Sequence, residues 1–110
     1  MSEPAFVEVA RFDDVPDGGL LGVEVPGGTR VCLVRRGHEL RALSDVCTHQ
    51  AFPMSAGELL PDGSIQCTWH GARFDCATGD VLAAPATEPL PVYEVRVDDE
   101  GRVLVGPQKR

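Results

Sequence analysis

CTHQAFPMSAGELLPDGSIQCTWH, residues 47 to 70, opens with Cys47-Thr48-His49 and closes with Cys67-Thr68-Trp69-His70. Each end offers one thiolate and one imidazole. Two Cys and two His can hold either zinc or an iron–sulfur cluster. Zinc fingers group like with like, Cys-x-x-Cys first and His-x-x-x-His later, because each knuckle grips one tetrahedral ion. Here both segments are mixed, which suits two metal ions bridged by sulfide. If the two Cys take one iron and the two His the other, each segment supplies one ligand to each iron. On these residues alone, a structural zinc site is the alternative.

The wider pattern is similar to a known one. Cys47-x-His49 with Cys67-x-x-His70 resembles the signature of Rieske proteins, and Gly71 belongs to the same pattern. The likeness continues through Phe74-Asp75, Thr78-Gly79, Pro85-Ala86 and Pro89-Leu90 to Tyr93, so it covers at least residues 45 to 97. It implies one [2Fe–2S] cluster held by Cys47, His49, Cys67 and His70. It also implies that the rings of His49 and His70 lie at an exposed edge, where the electron enters and leaves. Respiratory members add a Cys pair that links the two loops. The matching positions are Phe52 and Trp69, so aromatic packing is expected to replace that disulfide. Those members also carry hydroxyls two and four residues after the second His. Here Ala72 and Phe74 occupy these positions, and the expected potential is near the low end of the Rieske range, around −150 mV.

A length of 110 residues allows one domain with a modest core. Apolar content of 43% and charged content of 25% are those of a soluble globule. No apolar run approaches the roughly 20 residues that span a bilayer. Met1-Ser2-Glu3-Pro4 lacks the features of a signal peptide, so a cytoplasmic location is expected. A net charge of −7 argues against nucleic acid and anionic membrane, and favours a basic protein partner or simple solubility. Of the four Cys, Cys32 and Cys76 lie outside the ligand set and read as small buried hydrophobes.

Short strands and Gly/Pro turns recur at roughly 8–12-residue intervals, an all-β pattern. Strands are expected over 5–10, 20–25, 29–34 and 38–43. The unbroken apolar character of 29–34 suggests burial on both faces. Residues 47–56 lack any period and form the first expected loop. Pro61-Asp62-Gly63 and Thr78-Gly79-Asp80 signal hairpin turns. Residues 83–91 are too proline-rich for a sheet interior, and the resemblance makes them a third loop over the cluster. Val92 to Val97 alternates, with Tyr93, Val95 and Val97 on one face. Arg102 to Val105 returns, and Gly106 to Arg110 reads as a frayed tail. The expected architecture is the Rieske fold: an antiparallel β-sandwich base from 1–44 and 84–110, with a smaller cluster-binding lobe, 45–83, inserted between them.

An iron–sulfur site held partly by imidazole points to electron transfer. Rieske oxygenases also use a mononuclear iron held by two His and a carboxylate. Only His38 remains for such a site, and it reads as a solvated turn residue. Arg73 is either a surface charge or an aid to docking. The resemblance therefore implies a ferredoxin and not an enzyme. It would be a monomer passing single electrons from a flavoprotein NAD(P)H reductase to a terminal aromatic-ring-hydroxylating oxygenase. The alternative is a small Rieske subunit of a larger redox complex, such as a nitrite-reductase-type enzyme.

Overall fold

The computed structural model describes residues 6–46, 53–67, 72–83 and 88–109. Strands β1 (Val7–Arg11), β2 (Leu20–Glu24), β3 (Arg30–Arg36) and β4 (Glu39–Ser44) come first. Four short strands follow: β5 (Glu58–Leu59), β6 (Ser64–Gln66), β7 (Arg73–Asp75) and β8 (Val81–Ala83). The long hairpin of β9 (Val92–Val97) and β10 (Arg102–Gln108) ends the chain. Single 3-10 turns at Phe12–Asp14 and Met54–Ala56 are the helical segments among the described residues.

Two antiparallel sheets result. The larger runs β1-β10-β9-β4-β3-β2, and the smaller β5-β6-β7-β8. The larger sheet folds over on itself until its edges, β1 and β2, approach each other. Its two halves enclose Val15, Val31, Leu33, Ala42, Val103 and Val105, so they pack as the two layers of a sandwich. The halves join where β4 meets β9, through Ala42 opposite Tyr93 and Leu43 opposite Val92.

The expectation of two-sided burial in β3 is met. Val31 and Leu33 point into the sandwich, while Cys32 and Val34 belong to a second core with Ile65, Cys67, Phe74 and Leu90. Successive side chains of a strand face opposite ways, so a strand between two cores is apolar throughout. The same geometry explains the imperfect alternation in β4, where Ala42 serves the sandwich and Leu43 the second core. In β9, Val92 likewise joins the second core and Tyr93 and Val95 the first, whereas Val97 is 41% exposed. That second core sits between the larger sheet and the small one.

One expectation is corrected. Residues 106–108 are not a frayed tail: β10 runs to Gln108, which pairs with Tyr93, and the Lys109 amide donates to the Val92 carbonyl at 2.8 Å. Gly106 and Pro107 fall where the register between Val105 and Gln108 shifts, and a bulge tolerates the missing proline donor.

Candidate metal centre

Pro61-Asp62-Gly63 makes the turn between β5 and β6, and Thr78-Gly79-Asp80 the turn between β7 and β8, as expected. At the opposite end of this small sheet, Glu58, Gln66, Arg73 and Ala83 pair in one row across all four strands. Two of the three segments expected to form the centre depart from that row. Cys67 follows Gln66, residues 68–71 lie between Cys67 and Arg73's neighbour Ala72, and residues 84–87 follow Ala83.

The flanks are tied in pairs. The Cys67 amide donates to the Ala72 carbonyl at 2.8 Å, closing the base of 68–71. Val46 bridges Pro53, closing the base of 47–52. The stretches beside them meet: Gly57 lies so close to Gln66 that a Cβ on it would meet the Gln66 carbonyl oxygen, and Met54 shares a core with Cys67 and Ala72. The return from 84–87 is held where the Leu90 amide donates to the Gly79 carbonyl at 2.8 Å.

Of the four expected ligands, Cys67 is described. It is 2% exposed and shares the second core with Met54, Ala72, Phe74 and Leu90. Cys47, His49 and His70 lie outside the described residues, as do Phe52 and Trp69 of the expected aromatic pair and residues 84–87 of the expected third loop. Among the described residues, no three His, Cys, Asp or Glu side chains are grouped to hold a metal ion. His38 is exposed in the turn between β3 and β4. Arg73 opens β7, and its guanidinium lies 3.9 Å from the Asp62 carboxylate.

Cys32 and Cys76 are free, buried thiols, as expected. Burial pushes the Cys32 thiol well above its ordinary value of 9.0, with the Asp45 carboxylate adding to the rise. Burial, assisted by Asp75, pushes Cys76 up to about 12. Both are therefore held as neutral thiols. Cys67, the one expected ligand among the described residues, fits an iron–sulfur group as a buried cysteine at a closed loop base, and the Val46–Pro53 base leads in sequence to Cys47 and His49.

Sequence reading passed over Asp45 and Ser55. Asp45 is wholly buried and accepts hydrogen bonds from both the amide and the hydroxyl of Ser55, at 2.6 and 3.1 Å. Their positions, two residues before Cys47 and two after Pro53, are the only signal the chain offers, and it is weak.

Residues 5–94 match the family model described as the Rieske [2Fe-2S] domain. The chain is 35% identical over 94 residues to the ferredoxin component of the naphthalene 1,2-dioxygenase/salicylate 5-hydroxylase systems of Ralstonia sp, covering 86% of this chain and 88% of that one. The ferredoxin of carbazole 1,9a-dioxygenase from Nocardioides aromaticivorans IC177 aligns with a TM-score of 0.86 and 34% identity, over 96% of this chain and 99% of that one. A chain from the complex of reduced oxygenase and oxidized ferredoxin in carbazole 1,9a-dioxygenase aligns with a TM-score of 0.85 and 32% identity, over 96% and 95%.

Proposed function

The chain belongs to the Rieske [2Fe–2S] domain family, and from that premise we propose that it is the ferredoxin component of a ring-hydroxylating oxygenase system. It carries single electrons from a flavoprotein NAD(P)H reductase to a terminal oxygenase, where the chemistry on substrate takes place. The observation that carries this reading is the 35% identity to a dioxygenase ferredoxin along most of both chains. Among the described residues no helix is long and apolar enough to cross a membrane.

In this reading residues 45–83 would form the lobe that holds the [2Fe–2S] cluster, and Cys47 and Cys67 would hold one iron and His49 and His70 the other. The cluster, when bound, supplies one-electron oxidation and reduction. Two neutral imidazoles in place of two thiolates reduce the negative charge that the chain brings to the site, so an added electron is held more readily than by four Cys. Met54, Ala72, Phe74 and Leu90 share an apolar core with Cys67, which is 2% exposed.

Purified protein should be red-brown, with about two irons and two acid-labile sulfides per chain and a Rieske-type signal on reduction. Stoichiometric zinc without sulfide, in protein made with ample iron, sinks the reading. Replacing any of Cys47, His49, Cys67 or His70 should abolish or destabilise the cluster. Mixed with a dioxygenase reductase and oxygenase, the protein should restore NAD(P)H-dependent product formation. Co-purification in fixed ratio with a larger redox enzyme would instead make it a permanent subunit.

A further inference from the structure

Asp45 is a wholly buried carboxylate between four elements of the fold. One oxygen accepts the Ser55 amide at 2.6 Å, and the other accepts the Ser55 hydroxyl at 3.1 Å. Its carbonyl accepts the Met54 amide at 2.7 Å, and its own amide donates to the Arg30 carbonyl at 3.0 Å. The Arg30 guanidinium, half exposed, lies 3.5 Å from the carboxylate. On β2, Gly22 leaves the space these groups need: a Cβ there would meet the Ser55 hydroxyl oxygen at 2.5 Å and the Asp45 carboxylate at 2.9 Å.

A buried carboxylate is costly unless hydrogen bonds satisfy it, and apolar side chains of similar volume often stabilise a fold as well or better. Its placement suggests another use. Asp45 lies just before segment 47–52, and its bonds reach Met54 and Ser55 just after it. The Val46–Pro53 bridge lies immediately inside this pair. Two charge-assisted bonds and two backbone bonds to β3 and Met54 therefore close both ends of the segment onto one anchored residue.

We propose that Asp45 is a positioning residue for the metal centre, clamping the two ends of segment 47–52 so that Cys47 and His49 are presented as a fixed pair. The inference rests on the reading of those two residues as ligands. Groups that hold a ligand in place matter for metal retention although they never touch the metal. Arg30 contributes less, because its long contact is open to solvent.

The test compares Asp45→Ala, Asp45→Asn and Ser55→Ala with the wild type as reconstituted holoprotein. Val103→Ala, in the sandwich core, controls for lost stability alone. Loss of the iron–sulfur absorbance to an excess of iron chelator is followed beside the thermal midpoint and the reduced-state magnetic resonance spectrum. Asp45→Ala should release iron about tenfold faster or more and alter the spectrum. Asp45→Asn, which keeps an acceptor for the Ser55 amide, should recover part of the retention, and Ser55→Ala should fall between wild type and Asp45→Ala. Val103→Ala should lower the midpoint while releasing iron at the wild-type rate. If Asp45→Ala does not fold, Ser55→Ala against Val103→Ala makes the same comparison. A wild type that holds its iron while the Asp45 and Ser55 variants release it no faster, or no faster than Val103→Ala, overturns the clamp alone. A wild type with no iron–sulfur absorbance overturns the ligand reading and the clamp with it.

Discussion

The carbonyl oxygen of Leu90 stands where a Cβ on Gly79 would lie, while the Leu90 amide donates to the Gly79 carbonyl at 2.8 Å. Gly79 has φ +77°, and the turn it serves is held by the Asp75 carboxylate, which accepts the Ala77 and Thr78 amides at 2.8 and 3.0 Å. The proline-rich stretch therefore returns to the fold through a contact that admits no side chain. Gly79→Ala adds left-handed strain to a backbone clash, and should cost roughly 2–4 kcal/mol. A fall in the denaturant midpoint measures it. An unchanged midpoint would mean that the turn and Leu90 separate easily.

Cys32 and Cys76 should resist alkylation in the native state and react fully on unfolding, since burial holds both as neutral thiols. They also make stability fall in alkali. The folded pKa of Cys76 is raised from 9.0 to about 12, so its contribution is intact below the unfolded pKa and is lost as pH climbs from 9.0 toward 12. Within that window each such thiol removes about 1.4 kcal/mol per pH unit. Urea midpoints at pH 8 and pH 10 should show the loss in wild type and a smaller one in Cys76→Ala.

Ala72 and Phe74 are both wholly buried in the core that contains Cys67, and the Ala72 carbonyl accepts the Cys67 amide. A hydroxyl donating to a cluster sulfur stabilises the reduced state more than the oxidised one. If the difference is ~1 kcal/mol, the potential of Ala72→Ser should rise by ~40 mV in a redox titration. Phe74→Tyr should raise it similarly if its hydroxyl reaches a sulfur. Otherwise the buried hydroxyl should cost about 1–3 kcal/mol of stability with no change in potential. A wild-type potential well above zero would contradict this account.

Net charge −7 favours a basic partner, yet the flanks of the centre also carry Val46 and Leu82, each 46% exposed. If charge governs the encounter, the second-order rate of electron transfer should fall as salt shortens the Debye length from ~10 Å at 0.1 M to ~3 Å at 1 M. Stopped-flow mixing with reductase or oxygenase gives the rate. A rate flat across that range, together with a large loss in Leu82→Asp, would assign docking to the apolar flank.

What was legible in the chain depended on the range of the interactions. Turn chemistry at Pro61-Asp62-Gly63 and Thr78-Gly79-Asp80 is local, so those hairpins could be read directly. Continuous apolar character in 29–34 announced a strand with two buried faces, although not what would cover each. The two residues of β5 and the single 3-10 turn at Met54–Ala56 are too short to show a period. Gly106-Pro107 reads as an ending because both residues break strands, and the partner that keeps β10 running, Tyr93, is distant in sequence. The proposed ligand set rests on residue identity and spacing and not on periodicity, and of its four residues Cys67 alone lies among the described residues. Asp45 and Ser55 are polar residues on opposite sides of a loop, and only folding shows that they meet.

β3 and β4 wall both cores at once, with Cys32, Val34 and Leu43 turned one way and Val31, Leu33 and Ala42 the other. Swinging the small sheet away from the large one would uncover the face of β3 and β4 that carries Cys32, Val34 and Leu43. Among the described residues, the small sheet is therefore fixed against the large one and is not carried on an arm. If the protein is the free carrier proposed above, its redox site travels only as fast as the whole protein diffuses, and each electron delivered requires a fresh collision and a separate departure. Throughput should then scale with the concentration of the carrier, as traffic does with the number of vehicles.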